Sequence, residues 1–414
     1  MNKKKWSSKF LYFLAAVSSL SSAGAAMTLL ALSSSFFVEN PDGFASSAIQ
    51  LMYYLGIGCI GFIGGGILQK WSAVTLGIAG PLISSVIVFY LATFDAIPFS
   101  VGFPAIFLIF VLNGIDHPNN LRFLSEALQD NQKLSFFSFS ESITAVLQIM
   151  SPIFAGIIIA SAGIKICFII DGCTYLVSTL PWFIIRKNMG NTQLRSIPER
   201  VNYFLGFQVL YSNSQVRSLT ISRLLNNLAY VTCTTAIPLV IARIASKDQE
   251  YFTFQLAITN ALISSGFIGA GFLGAIVSRN SKNVVALVYL ASILALGSCV
   301  VLSGAILYPS LLYISACMLG VGTYCFRLSG ITLGQAFTPP SALGPVIVAG
   351  DTVVRSWSFF VSATTLFIFE LNSLWGLSFA SLFFMLNTLP SGCLFAPKWS
   401  LKLARKCAGN TAND

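Results

Sequence analysis

Seven charged side chains fall inside long apolar stretches of this 414-residue sequence. A charge buried in a membrane span costs at least about 2.5–3.5 kcal/mol, so such a residue usually faces a cavity, a partner or a transported ion. Buried acids can carry protons, and buried guanidiniums can bind anions. The first half of the chain contributes three acids, and the second half three arginines and one acid: Asp116, Glu141, Asp171, Arg223, Arg327, Asp351 and Arg355.

The spacing of the charges in the second half suggests two arrangements. Asp351 and Arg355 are four residues apart on one helix face and can pair directly, which leaves Arg327 to meet an anionic substrate. In the other arrangement Arg327 and Asp351 form a structural pin between helices. Arg223 is a further candidate for substrate binding or for a charge pair.

The acids of the first half are the candidates for proton coupling. Glu141 lies seven residues into its span and is the best proton carrier, whereas Asp116 lies at a span edge beside the only histidine, His117. Asp171 lies about a third of the way into the sixth span. For Asp116 and Asp171 the alternative is purely structural, as a turn cap before Pro118 or a contact between helices.

The composition of the sequence indicates which kind of secondary structure carries these charges. Apolar residues make up 55% and charged residues 9% of the sequence, whereas soluble domains carry about 25% charged residues. This excludes a soluble domain. Because unpaired backbone groups are not tolerated in lipid, the apolar runs must be helices. We therefore predict an all-α integral membrane protein in contact with lipid.

Twelve transmembrane helices are predicted, separated into two six-helix bundles. The bundles cover 1–185 and 217–396, joined by a cytoplasmic linker 186–216 with a short interfacial helix and followed by a cytoplasmic tail 397–414. The predicted spans are 10–38, 45–68, 73–94, 101–121, 134–161, 164–185, 217–245, 251–278, 284–306, 311–335, 344–368 and 374–396.

The basic loop residues predict the orientation. Eighteen lysines and arginines fall on one side of the predicted topology and three, Lys165, Arg243 and Lys247, on the other. Both termini are therefore expected in the cytoplasm. The net charge of +10 is explained in this way, without a nucleic-acid partner. The amino terminus imitates a secretory signal, but its apolar run extends to Val38, which is too long for a signal core.

The two halves repeat. The segment from Gly65 to Lys70 ends the second span and the similar segment from Gly274 to Arg279 ends the eighth, 209 residues later. Glu141 and Asp351 occupy equivalent depths in the fifth and eleventh spans. Two parallel six-helix repeats are the architecture of the major facilitator fold.

The sequence does not support nucleotide binding, cofactor chemistry or metal binding. The two G-x-G-x-x-G spellings beginning at Gly56 and Gly269 lie inside apolar helices, whereas the dinucleotide motif needs a strand before it. The nine cysteines include no C-x-x-C pair. We expect no cofactor, no catalytic residue and no metal site.

Three motifs resemble one branch of the major facilitator superfamily, which contains the enterobactin exporter and the macrolide efflux proteins. They are Asn113–Pro118, Ser151–Gly156 and Ile170–Ser178, which correspond to the N-G-x-x-D-P, G-P-x-x-x-G and I-D-x-x-[ST]-[FY]-L-x-S runs of that branch. The chain departs from the pattern at Gln69, where the branch has an acidic residue, and at Ser151, where it has glycine.

The resemblance implies a secondary transporter of the bacterial inner membrane, expected to be a monomer. It would export a siderophore or a similar amphipathic small molecule by alternating access, as an antiporter coupled to protons. Import of a siderophore or another metabolite with the same fold is the alternative. A membrane-embedded transferase is a remote alternative, because the loops are short and there is one histidine.

Overall fold

A computed structural model describes residues 7–128, 130–188, 204–277, 281–338 and 343–371. Within these ranges the chain forms α-helices, as expected for apolar runs that must satisfy their own backbone hydrogen bonds. The helices are α1 Ser8–Glu39, α2 Phe44–Lys70, α3 Ala73–Leu91, α4 Phe99–Ala127, α5 Asp130–Ala162, α6 Ile164–Asn188, α7 Leu205–Ser212, α8 Ser214–Ala245, α9 Gln249–Val277, α10 Ser281–Gly304, α11 Ser310–Phe337 and α12 Leu343–Leu371.

The helices other than α7 coincide with the first eleven predicted spans and are mostly longer. Polar residues at the helix ends extend them beyond the apolar runs; for example, α5 begins at Asp130 where the apolar pattern begins at 134. In the part of the chain that the structure describes, seven helices are long and apolar enough to cross a membrane by length and composition. The predicted span 374–396, the tail 397–414 and residues 189–203 of the linker lie outside the described residues.

Side-chain caps define several helix starts. The Ser72 hydroxyl accepts a hydrogen bond from the Thr75 amide at the start of α3, and the Asn213 side chain accepts from two amides at the start of α8. These caps satisfy amides that have no partner within the first turn. Each cap follows a short loop, so α3 begins close to the end of α2 and α8 close to the end of α7.

We call the end of the bundle at which α1 begins the near face, and the end at which α1 ends the far face. At the far face the two halves close against each other. The rings of Phe37 and Phe252 stack with centroids 4.0 Å apart, and the hydroxyls of Ser34 and Thr253 lie 2.8 Å apart.

Gly43 completes this far-face contact. Its φ of +79° is in the left-handed region, and a Cβ atom there would overlap the Pro238 carbonyl and the Ala242 side chain of α8. Glycine is the residue that allows both the backbone conformation and the close approach. The first loop of one half therefore lies directly on α8 of the other.

At middle depth the halves meet through α2 and α12. A Cβ atom on Gly58 would lie 3.2 Å from the Ser356 hydroxyl, so the two helices approach closely there, as small residues permit in membranes. This contact brings the middle of α2 beside the charged residues of α12.

Candidate functional site

Asp351 and Arg223 form an ion pair inside the second half. The Arg223 Nη2 atom lies 2.6 Å from the Asp351 Oδ1 atom, and the two side chains are 37% and 32% exposed. Both α8 and α12 begin at the near face, and the two residues lie about 12–14 Å along their helices at about 1.5 Å per residue. The two side chains can pair because they lie at equal depth on neighbouring helices.

Arg355 follows Asp351 by one helical turn and lies against α2. Its guanidinium carbon is 5.2 Å from the ring centroid of Tyr53 and 5.7 Å from that of Tyr54. Cation–π contacts of this kind contribute about 0.5–2 kcal/mol each, depending on desolvation. Arg355 also interacts electrostatically with Asp351. The tyrosines of the first half therefore hold an arginine of the second.

A third residue of the first half completes the group. His117 of α4 is close enough to Asp351 to interact with it electrostatically. We use the name central charge cluster for Arg223, Asp351, Arg355, Tyr53, Tyr54 and His117. The cluster draws on α2, α4, α8 and α12, so it joins both halves at middle depth.

The ion pair differs from both pairings that the sequence suggested for Asp351, with Arg355 or with Arg327. Within the described residues, the ion pair of Asp351 is formed with Arg223. Arg327 is exposed on α11 and interacts electrostatically with Tyr230 of α8. The direct pairing of Asp351 with Arg355 is modified as well, because the Arg355 guanidinium lies over the two tyrosine rings.

Asp171 is separate from this cluster and joins two helices of the first half. It is fully buried, and its Oδ2 atom accepts a 2.6 Å hydrogen bond from the Thr28 hydroxyl of α1. Thr174 donates to the other carboxylate oxygen at 3.3 Å. Gly24 lies opposite, where any Cβ atom would overlap the Asp171 carboxylate. These contacts favour the structural interpretation of Asp171.

Asp116 faces a small polar pocket. Its Oδ2 atom accepts a hydrogen bond of 3.1 Å from the Asn120 amide, one turn further along α4, and its Oδ1 atom is buried without a partner. Glu141 belongs to α5, but its side chain lies outside the part of the chain that the structure describes. The geometry therefore locates two of the three acids of the first half.

Comparison with known proteins decides the family. The profile of the Major Facilitator Superfamily matches residues 11–363 of the chain. The chain belongs to the Major Facilitator Superfamily. No curated protein shows a significant match to the sequence.

Solved major facilitator structures have the same fold. A POT family transporter in complex with a thioalcohol-conjugated peptide has a TM-score of 0.74 at 12% identity, over 94% of this chain and 96% of that one. The nucleoside transporter NupG has a TM-score of 0.62 at 15% identity over 94% and 98%. A bacterial homologue of the lysosomal transporter Spinster, in an inward-facing and unoccupied conformation, has a TM-score of 0.65 at 12% identity over 96% and 99%.

These findings establish a multi-pass membrane protein with a major facilitator fold, and they indicate a transporter rather than an enzyme. Sequence reasoning missed Tyr53 and Tyr54 of the central charge cluster and Asn120 beside Asp116. Two adjacent tyrosines in the middle of an apolar span were a usable signal, because buried phenol groups usually need a polar partner.

Proposed function

We propose that this major facilitator protein is a secondary active transporter that exports an anionic, amphipathic small molecule, such as a siderophore, in exchange for protons. The central charge cluster is the observation that carries the proposal. It lies at middle depth and uses residues of both halves, which is where transporters with this repeat bind their substrates.

The charge of the cluster supports an anionic substrate. Within the cluster, the guanidinium of Arg223 pairs with the carboxylate of Asp351, and that of Arg355 interacts with it electrostatically. Buried guanidiniums are stable when carboxylates or anionic ligands answer them. A substrate carboxylate or catecholate would supply the missing negative charge, and the rings of Tyr53 and Tyr54 would contact its apolar part.

The contacts between the halves support alternating access. The described far-face contacts, with Phe37 stacked on Phe252 and Gly43 against α8, close that end of the bundle. With both termini in the cytoplasm, the far face is external, and this conformation receives its substrate from the cytoplasm. Export then requires the far-face contacts to separate while the near face closes.

Proton entry would supply the driving force. Each proton moving down 100 mV supplies about 2.3 kcal/mol. Glu141 is the proposed proton carrier, because it is an acid seven residues into its predicted span, as Asp351 is in the corresponding span of the second half. Glu141→Gln should abolish transport driven by a pH gradient and leave substrate exchange intact. Unchanged gradient-driven transport in this variant would remove Glu141 from the coupling mechanism.

Metabolite profiling tests the direction and the substrate together. A deletion strain should lose one anionic compound from its culture medium, and the compound should accumulate inside the cells. Wild-type protein should restore it, whereas Arg355→Ala should not, although the variant reaches the membrane. A compound that instead remains in the medium of the deletion strain and is depleted by the wild type would show import.

A further inference from the structure

The short helix α7 and the residue before it carry an aromatic stripe on one side. Phe204, Phe207 and Tyr211 follow one another at intervals of four and three residues, a spacing that keeps them on the same side of a helix. Phe204 and Tyr211 are 60% and 77% exposed, and the rings of Phe204 and Phe207 lie 6.3 Å apart. A contiguous exposed aromatic surface is typical of a contact with another molecule or with the membrane.

The opposite side of α7 determines where the helix lies along the bundle. Val209 packs against Val216 of α8 and Val346 of α12, and a Cβ atom on Gly206 would overlap the backbone carbonyl of Pro345. These contacts involve the first turns of α8 and α12, where the predicted spans 217–245 and 344–368 begin. The aromatic stripe is therefore exposed at the level where two membrane helices start.

This level favours lipid as the material that covers the stripe. Aromatic rings are enriched where a helical bundle meets the lipid headgroups. A helix with an apolar side at that depth lies in the plane of the interface, with its rings at the boundary between headgroups and acyl chains. The structure thus gives the short interfacial helix that the sequence predicted a defined outward side.

One exposed cation accompanies the stripe. The guanidinium carbon of Arg217, in the first turn of α8, lies 5.9 Å from the centroid of the Tyr211 ring. Its Nη1 atom donates a 2.8 Å hydrogen bond to the Tyr211 carbonyl oxygen. The ion pairs formed within the described ranges do not include Arg217. Because a guanidinium has five N–H groups, this geometry holds the side chain beside the ring and leaves donors for an anion.

We propose that Arg217 and the aromatic stripe of α7 bind an anionic phospholipid, such as phosphatidylglycerol, in the leaflet at the near face. The guanidinium would contact the lipid phosphate, whose oxygens its planar fork matches. The rings of Phe204 and Tyr211 would contact the glycerol backbone and the first part of the acyl chains. A soluble phosphate compound could use the arginine, but it would leave these rings in water. Lipid binding here does not depend on the proposed transport function.

Photo-crosslinking of the full-length protein in phosphatidylcholine liposomes tests the proposal. The probes are a phosphatidylglycerol and a phosphatidylcholine, each with a diazirine at the same position near the headgroup, added in equal trace amounts. Labelled peptides that contain residues 204–217 are quantified by mass spectrometry. We expect phosphatidylglycerol to label them about fivefold more than phosphatidylcholine, the ratio that corresponds to about 1 kcal/mol for one basic residue at a membrane surface.

Three variants assign this preference to one side chain. Arg217→Ala should bring the labelling ratio close to one, and Arg217→Glu should bring it below one by repelling the anionic lipid. Arg186→Ala removes an exposed arginine from the last turn of α6 at the same face and should leave the ratio unchanged. Variants with a monodisperse elution profile are compared.

Several results would overturn the proposal. They are the absence of label in residues 204–217, equal labelling of the wild type by the two lipids, and equal losses of preference in Arg217→Ala and Arg186→Ala. Excess inorganic phosphate at constant ionic strength should not change the wild-type ratio, and loss of the preference under phosphate would indicate a soluble phosphate ligand instead. Any of these results with substrate transport intact would leave the proposed function standing.

Discussion

The partner of Asp351 can be tested with two double-mutant cycles. One cycle combines Arg223→Ala with Asp351→Ala, and the other combines Arg327→Ala with Asp351→Ala. At an effective dielectric constant of 20, unit charges 4 Å apart attract each other by about 4 kcal/mol before desolvation is counted. Exposed pairs contribute about 0.2–1 kcal/mol in such cycles, and removing one partner of a buried pair costs about 3–5 kcal/mol.

The Arg223–Asp351 pair lies between these limits, because its side chains are 37% and 32% exposed. We therefore expect a coupling energy of about 1–2 kcal/mol between Arg223 and Asp351. The Arg355 guanidinium also interacts with Asp351, so the single change Arg223→Ala should be tolerated for folding. For Arg327 and Asp351 we expect a coupling energy of less than about 0.5 kcal/mol, as for residues that are not partners.

The assay is the free energy of unfolding of purified protein in mixed detergent micelles, measured for the wild type, the three single variants and the two double variants. Variants that retain a monodisperse elution profile are compared. A larger coupling energy for Arg327 than for Arg223 would refute the structural assignment. Arg327 would then be the residue that pins the tenth predicted span to Asp351 of the eleventh.

Three further outcomes follow. Thr28→Val should lower the free energy of unfolding by about 1–3 kcal/mol, because it leaves the buried Asp171 carboxylate without its α1 donor; Thr28→Ser should be close to the wild type in the same assay. Gly43→Ala should lower the thermal unfolding midpoint more than Gly163→Ala, since both have positive φ but only Gly43 is crowded; equal shifts would contradict a tight far-face contact. A reporter fused at the carboxyl terminus should be cytoplasmic, and a reporter in the loop after α8 should be external. Finding both reporters on the same side of the membrane would contradict the topology.

The helices could be predicted because their signal is local. Each apolar run must become a helix in lipid, and the eleven runs that the structure describes do so. Their ends could not be located from hydropathy alone. The helices continue through polar residues, such as Asp130 in α5, as long as their backbone hydrogen bonds can form.

The central site was only partly predictable, because ion pairing depends on the relative depth and rotation of different helices. The sequence identified Arg223, Asp351 and Arg355 as intramembrane charges, but the two pairings it offered for Asp351, with Arg355 or with Arg327, did not include the ion pair with Arg223. Arg223 and Asp351 are 128 residues apart and meet because α8 and α12 start at the same face. Sequence spacing within one helix, as between Asp351 and Arg355, could not show that the arginine would lie over two tyrosine rings of α2.

Transport by purified protein in liposomes tests whether the central charge cluster binds an anionic substrate. The probe is a radiolabelled catecholate siderophore, compared with the lipophilic cation tetraphenylphosphonium, under an imposed pH gradient. We expect wild-type protein to move the siderophore in the direction opposite to protons, and we expect Arg223→Ala and Arg355→Ala each to reduce the rate at least tenfold. Movement of the cation with no movement of the anion, or an undiminished rate in both arginine variants, would contradict an anion site at the central charge cluster.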